Sequence, residues 1–172
     1  MAQSKAAFGL RPMLPDDVPL LAEIFRASIQ DLTADDYGPE QQAAWAAAAD
    51  DEEAFGARLA GQLTLLGTLG GSPVGFASLR NNDTLDMLYV HPGVARQGLG
   101  AMLVDALEKL ATARGAARLT VEASDTALDF FQSRGFRAER RNTVMLGGEW
   151  FSNTTMVKPL AGAHPPKGKS SP

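Results

Sequence analysis

Between Leu85 and Gly100 an apolar run broken by one carboxylate (Leu85, Asp86, Met87, Leu88, Tyr89, Val90) ends at His91-Pro92 and meets Arg96-Gln97-Gly98-Leu99-Gly100. The order dictates a strand, a glycine-bearing turn and a helix N-terminus in succession. N–H groups in such a turn have no intrahelical acceptor, and the helix dipole adds about half a positive charge there, so a phosphate or pyrophosphate is the natural ligand. Behind the turn, Leu99, Met102, Leu103, Ala106, Leu107 and Leu110 share one helical face, while Asp105, Glu108, Lys109 and Thr112 take the other. Gly115 after Arg114 stops the helix, which the spacing places over 98–114. The competing reading is that Gly98 and Gly100 only let the helix pack close to the strand.

A chain of 172 residues that is 45% hydrophobic can bury a core without disulfides or a metal. The expected organisation is a flexible N-terminus over 1–7, one domain over 8–160 and a disordered tail over 161–172, where prolines, glycines, lysines and serines leave nothing to anchor. The net charge of -4 and the sequence pI near 5.1 argue against a nucleic-acid partner. With no cysteine, thiolate metal sites and cysteinyl intermediates are excluded. Met1–Gly9 lacks a signal-peptide core and no apolar run reaches the length of a membrane span, so the expectation is a soluble cytoplasmic protein without a membrane partner.

Phe8, Leu10 and Met13 alternate as a first strand, and Pro15-Asp16-Asp17 opens a helix through Ile29. Further helices are expected over 39–49 and 51–59. Apolar runs at 62–69 and 74–79 flank Gly70-Gly71-Ser72-Pro73 as a hairpin, and Asn81-Asn82-Asp83 turns the chain into the strand at 85–90. After the long helix come a strand at 118–123, a helix at 125–134 and strands at 136–145 and 150–157 joined across Gly147-Gly148. Helices between some strands and hairpins between others imply an α/β fold, or α+β, with a mixed sheet.

Asp86-Met87-Leu88-Tyr89-Val90-His91-Pro92, then Arg96-Gln97-Gly98-Leu99-Gly100, then Glu122-Ala123-Ser124 and Ala127 through Phe130-Phe131 to Gly135-Phe136, resembles the GNAT superfamily of acyl-CoA-dependent N-acetyltransferases. The resemblance implies a mostly antiparallel twisted sheet, splayed between its fourth and fifth strands and flanked by about four helices. It implies acetyl-CoA as co-substrate, with the pyrophosphate on Ala95, Arg96, Gln97, Gly98, Leu99, Gly100 and Ala101 and the pantetheine arm beside Leu88, Tyr89 and Val90. Ser124 and Phe131 complete the cofactor set. Ala95 stands where the family carries Gln or Arg; Arg96 or Gln97 would compensate.

Acyl transfer needs a neutral amine at the thioester carbon, a donor for the carbonyl oxygen and a route for the thiolate. By resemblance the donor is the N–H of Leu88. For the base, the strand period of two places Thr84, Asp86, Leu88 and Val90 on one face, so Asp86, acting through water, leads, and Glu122 is the second candidate. Either carboxylate also reads as a solvated or ion-paired strand residue. The family's usual acid, a tyrosine, is Phe131 here, which leaves Tyr89, another donor or solvent to protonate the thiolate, or no acid at all. In the first half, Tyr37 and Trp45 beside Asp31, Asp35 and Asp36 suit a cationic amine, and Arg80 suits a substrate carboxylate. Trp45 in its alanine-rich helix also reads as a core anchor, and the acidic loop residues as solvated.

His91 is the only histidine before the tail, too few for a metal cluster or a serine–histidine triad, and before Pro92 it reads as a strand-end cap. Lys167-Gly168-Lys169-Ser170 mimics a P-loop end but lacks its first glycine and any following helix. The reading is an N-acetyltransferase acting on a small-molecule or protein amine by direct attack in a ternary complex, with no metal. Its alternative is a catalytically silent acyl-CoA-binding module, suggested by Phe131 and Ala95. Exposed strand edges near the C-terminus offer a means of pairing two chains.

Overall fold

The computed structural model describes residues 7–160; the expectations for 1–6 and for the tail lie outside the described residues. The elements are β1 (Phe8–Pro12), α1 (Val18–Leu32), α2 (Pro39–Ala46), α3 (Glu52–Ala60), β2 (Leu63–Leu69), β3 (Ser72–Arg80), β4 (Thr84–Val90), α4 (Leu99–Ala113), β5 (Arg118–Ser124), α5 (Leu128–Ser133), β6 (Arg137–Leu146) and β7 (Glu149–Pro159). They form one seven-stranded sheet in the order β1-β2-β3-β4-β5-β7-β6. Five α-helices stand among the described residues, matching the segments read from the sequence, where the resemblance implies about four; the Asp51 carboxylate caps α3 by accepting the Ala54 N–H at 3.1 Å. The first helix begins later than Pro15, after a 3-10 turn over Pro15–Asp17. None of the described helices is long and apolar enough to cross a membrane.

Each sheet face buries its own apolar cluster. Leu99, Leu103 and Leu107 of α4 pack with Leu65, Ala77, Leu119, Val121 and Met156, and α5 adds Phe131. On the other face Leu21, Ile24 and Phe25 of α1 pack with Phe55 of α3, Leu66, Phe76 and Met87. Leu99 seats α4 against the sheet in a notch that two strand glycines leave open. A Cβ at Gly67 would lie 2.4 Å from Leu99 Cδ1, and one at Gly75 would lie 2.8 Å from Leu99 Cδ2.

Two features of β4 set up the site. Its parallel pairing with β5 covers only Thr84 with Thr120 and Leu85 with Val121, after which the strands diverge. Its antiparallel pairing with β3 slips by one residue: Leu79 faces Leu85 and Ser78 faces Met87, which leaves Asp86 as a β-bulge.

Candidate active site

The divergence of β4 from β5 opens a cleft of about 420 Å³ bordered by β4, the end of β5 and the start of α4. The hydrogen bond from His91 N–H to Val74 O at 2.8 Å fixes the phase of the β3–β4 ladder. By antiparallel alternation the N–H groups of Met87 and Tyr89 then point at β3, and those of Leu88 and Val90 point into the gap left by β5. Two main-chain donors thus face a space with no strand to receive them.

At the mouth of the cleft lies the turn before α4. No main-chain N–H from Arg96 to Ala101 donates a hydrogen bond within the described residues; the first to do so is Met102, to Gly98 O at 3.1 Å. Gly98 has φ 91°, and a Cβ there would meet nothing within 4 Å. A Cβ at Gly100 would find only the Phe130 ring, at 3.7 Å, an ordinary contact. Neither glycine is needed for close packing on the strand; that task belongs to Gly67 and Gly75. The free N–H groups, the helix terminus and the open space fit the pyrophosphate of an acyl-CoA. Arg96 borders the cleft, whereas Leu99 turns its side chain into the core and Gln97 reaches back to Gly93 O at 3.4 Å. His91 caps its own turn, Nδ1 accepting the Gly93 N–H at 3.0 Å.

Asp86 also borders the cleft, but its carboxylate is engaged by cations. The bulge breaks the alternation that would have put its side chain beside those of Leu88 and Val90. The carboxylate instead accepts from Arg58 at 2.8 and 2.9 Å and from Gln62 at 2.8 Å, with Arg80 at 3.6 Å. Burial pushes the carboxyl up, but the Arg58 and Gln62 hydrogen bonds and the nearby guanidinium charges outweigh it and hold the carboxyl below its ordinary value. A carboxylate so held is a poor proton acceptor. Arg80, tied to this cluster, does not border the cleft, so the structure does not support it as a substrate ligand.

Glu122 borders the cleft from the β5 side. Its Oε2 accepts from Thr155 Oγ1 at 2.8 Å and from Asn142 Nδ2 at 2.9 Å, and its Oε1 has no partner among the described residues. Both donors are neutral, so the carboxylate is oriented without being neutralised. The sequence could not show these holders, because Asn142 and Thr155 reach Glu122 only through the strand order β5-β7-β6.

Tyr89 and Trp45 form the opposite wall. The indole N–H donates to Tyr89 Oη at 3.1 Å, so the phenolic hydrogen must point elsewhere, and no described residue accepts it. Burial pushes the phenol up to about 12, the Trp45 hydrogen bond opposing it, so the hydroxyl stays protonated near neutrality. Tyr37 stands behind this wall. It is 6% exposed, and its hydroxyl accepts the Asp125 N–H at 2.9 Å and donates to Ser152 O at 3.2 Å, which makes it a brace and no acceptor contact. Ser124 and Phe131 border the cleft, Phe131 from within the core.

Residues 33–159 match the acetyltransferase (GNAT) domain family. The chain belongs to the GNAT acetyltransferase family. This GNAT domain is an N-acetyltransferase. The chain is 33% identical over 147 residues to the uncharacterized N-acetyltransferase YafP of Escherichia coli strain K12, covering 86% of this chain and 93% of that protein. The crystal structure of a GCN5-related N-acetyltransferase from Rhodopseudomonas palustris is 61% identical, with a TM-score of 0.88 over 93% of this chain and 99% of that one. The fold is shared with the PaiA N-acetyltransferase of Thermoplasma acidophilum, solved in complex with coenzyme A: 20% identity, TM-score 0.74, covering 89% of this chain and 99% of that one.

Proposed function

We propose that the cleft binds acetyl-CoA through the N–H groups from Arg96 to Ala101 and acetylates a primary amine by direct attack in a ternary complex, with Glu122 as the base. The observation that carries the reading is the run of unbonded main-chain donors, continuous in space with the Leu88 and Val90 N–H groups that β5 leaves unpaired. Bound there, acetyl-CoA supplies the activated acyl group. The Leu88 N–H stabilises charge as it develops on the carbonyl oxygen, a role that depends on strand geometry and not on the leucine side chain. Glu122 Oε1 takes a proton from the amine, directly or through one water.

The thiolate departs as an anion. Phe131 has no proton to give, and Tyr89, kept protonated by burial, has a hydroxyl hydrogen that no described residue accepts. Tyr89 therefore serves as a hydrogen-bond donor to ligand. The protein acts in the cytoplasm, and the unpaired edge of β6, with Met145 56% exposed, supports pairing of two copies, which light scattering would read as a doubled mass.

The test is thiol release from acetyl-CoA in the presence of amines, with calorimetry for binding. Glu122→Gln should lower kcat by about 10²- to 10⁴-fold with acetyl-CoA affinity unchanged. Loss of turnover in a folded Asp86→Asn protein, with Glu122→Gln fully active, would reverse the assignment. Tight binding of acetyl-CoA with no amine accelerating release would leave only a binding module.

A further inference from the structure

The acceptor side of the cleft has a shape and lining that narrow the amine. Tyr89 packs with the α1–α3 cluster, and Glu122 alternates with Val121 and Ala123, which face α4, so both project on the sheet face away from α4. On that face Trp45 borders the cleft. Its N–H is fixed on Tyr89 Oη, and Tyr37 and Phe151 back it edge-on, with ring centroids 5.4 and 6.3 Å away. The connection from α1 to α2 then bridges the diverged strands. Thr126 Oγ1 donates to Asp36 Oδ2 at 2.8 Å, and Tyr37 Oη joins Asp125 N–H to Ser152 O.

From this juxtaposition of a braced aromatic wall, a carboxylate across the gap and a bridging loop, we propose that the acceptor is a small primary amine carried on an aromatic body. The inference rests on the reading of Glu122 as the base. The amine end goes to Glu122 Oε1 and the flat body lies against Trp45 and Tyr89, where stacking and ring-edge contacts favour an aromatic partner over an extended polar chain. The whole cleft measures about 420 Å³ and the donor's arm must share it, so the space beside Trp45 suits a molecule of one or two rings. The Asp36–Thr126 and Tyr37–Asp125 bonds tie that connection at the β5 end of the cleft, and in this proposal they favour a small acceptor over a lysine on a folded protein's surface.

The experiment uses the full chain, acetyl-CoA and four acceptors: 2-phenylethylamine, tryptamine, spermidine and a lysine-containing peptide. The expected kcat/KM for the two arylalkylamines exceeds that for spermidine and the peptide by at least about tenfold. Trp45→Leu should raise KM for the arylalkylamines by about tenfold and leave the acetyl-CoA dissociation constant from calorimetry in place. Preference for spermidine or the peptide, with acetyl-CoA binding intact, overturns this inference and leaves the proposed function standing. Failure of acetyl-CoA to bind overturns both. Should Trp45→Leu not fold, Thr126→Val removes one tie of the bridging loop: a rise in peptide turnover relative to tryptamine supports the closed acceptor side, and an unchanged ratio counts against it.

Discussion

At the scale of single residues, the two carboxylates nearest the reacting centre differ in what holds them. Asp86 faces two guanidinium groups and an amide, so its contribution is to stability. Asp86→Asn should cost about 2 kcal/mol, discounted because Arg58 is half-exposed, as read by urea denaturation at pH 7. Because the folded carboxyl lies below its unfolded value near 3.9, its stabilisation is complete above about pH 5 and fades as pH falls through the folded value. The variant should therefore show a flatter acid limb between about pH 5 and 3 than the parent chain. Sequence alternation pointed at Asp86 because Leu85, Asp86 and Met87 look like a regular strand; a bulge adds one residue without changing the residue types. Glu122 was visible as a second candidate, but the neutral donors that leave one oxygen free came only with the register of β5, β6 and β7.

Among the elements, the turn into α4 was the most legible part of the molecule. A glycine where the chain must take φ 91° and an amphipathic period directly behind it leave little choice of local structure. Gly98→Ala should cost about 1–2 kcal/mol in thermal or urea unfolding through backbone strain alone, since its Cβ would meet nothing. It should also weaken acetyl-CoA binding measured by calorimetry. Gly100→Ala provides the contrast, with stability close to that of the parent, because the added carbon makes an ordinary contact with Phe130. The close approach of helix and sheet was not legible, since it depends on Gly67 and Gly75, which lie in a hairpin distant in sequence from Leu99. Gly67→Ala should destabilise by about 1–3 kcal/mol, the Cβ being driven into Leu99, and a chemical denaturation curve would report it.

Across the whole molecule, the strand count, the hairpins and the α/β class could be read from periodicity and turn residues, but the acceptor side could not. It is assembled from pieces as far apart as Trp45, Glu122 and Phe151, which no local pattern relates. The β4–β5 junction is the thinnest seam of the sheet, joined by two residue pairs before the strands part. In the proposed complex the extended arm of the acyl donor would lie between Leu88 and Ser124 and supply the rung that the polypeptide omits, making the substrate a temporary piece of secondary structure. Amide hydrogens at Leu88 and Val90 should exchange rapidly in the free protein and slow markedly once coenzyme A is added, and the melting temperature should climb in step with ligand concentration.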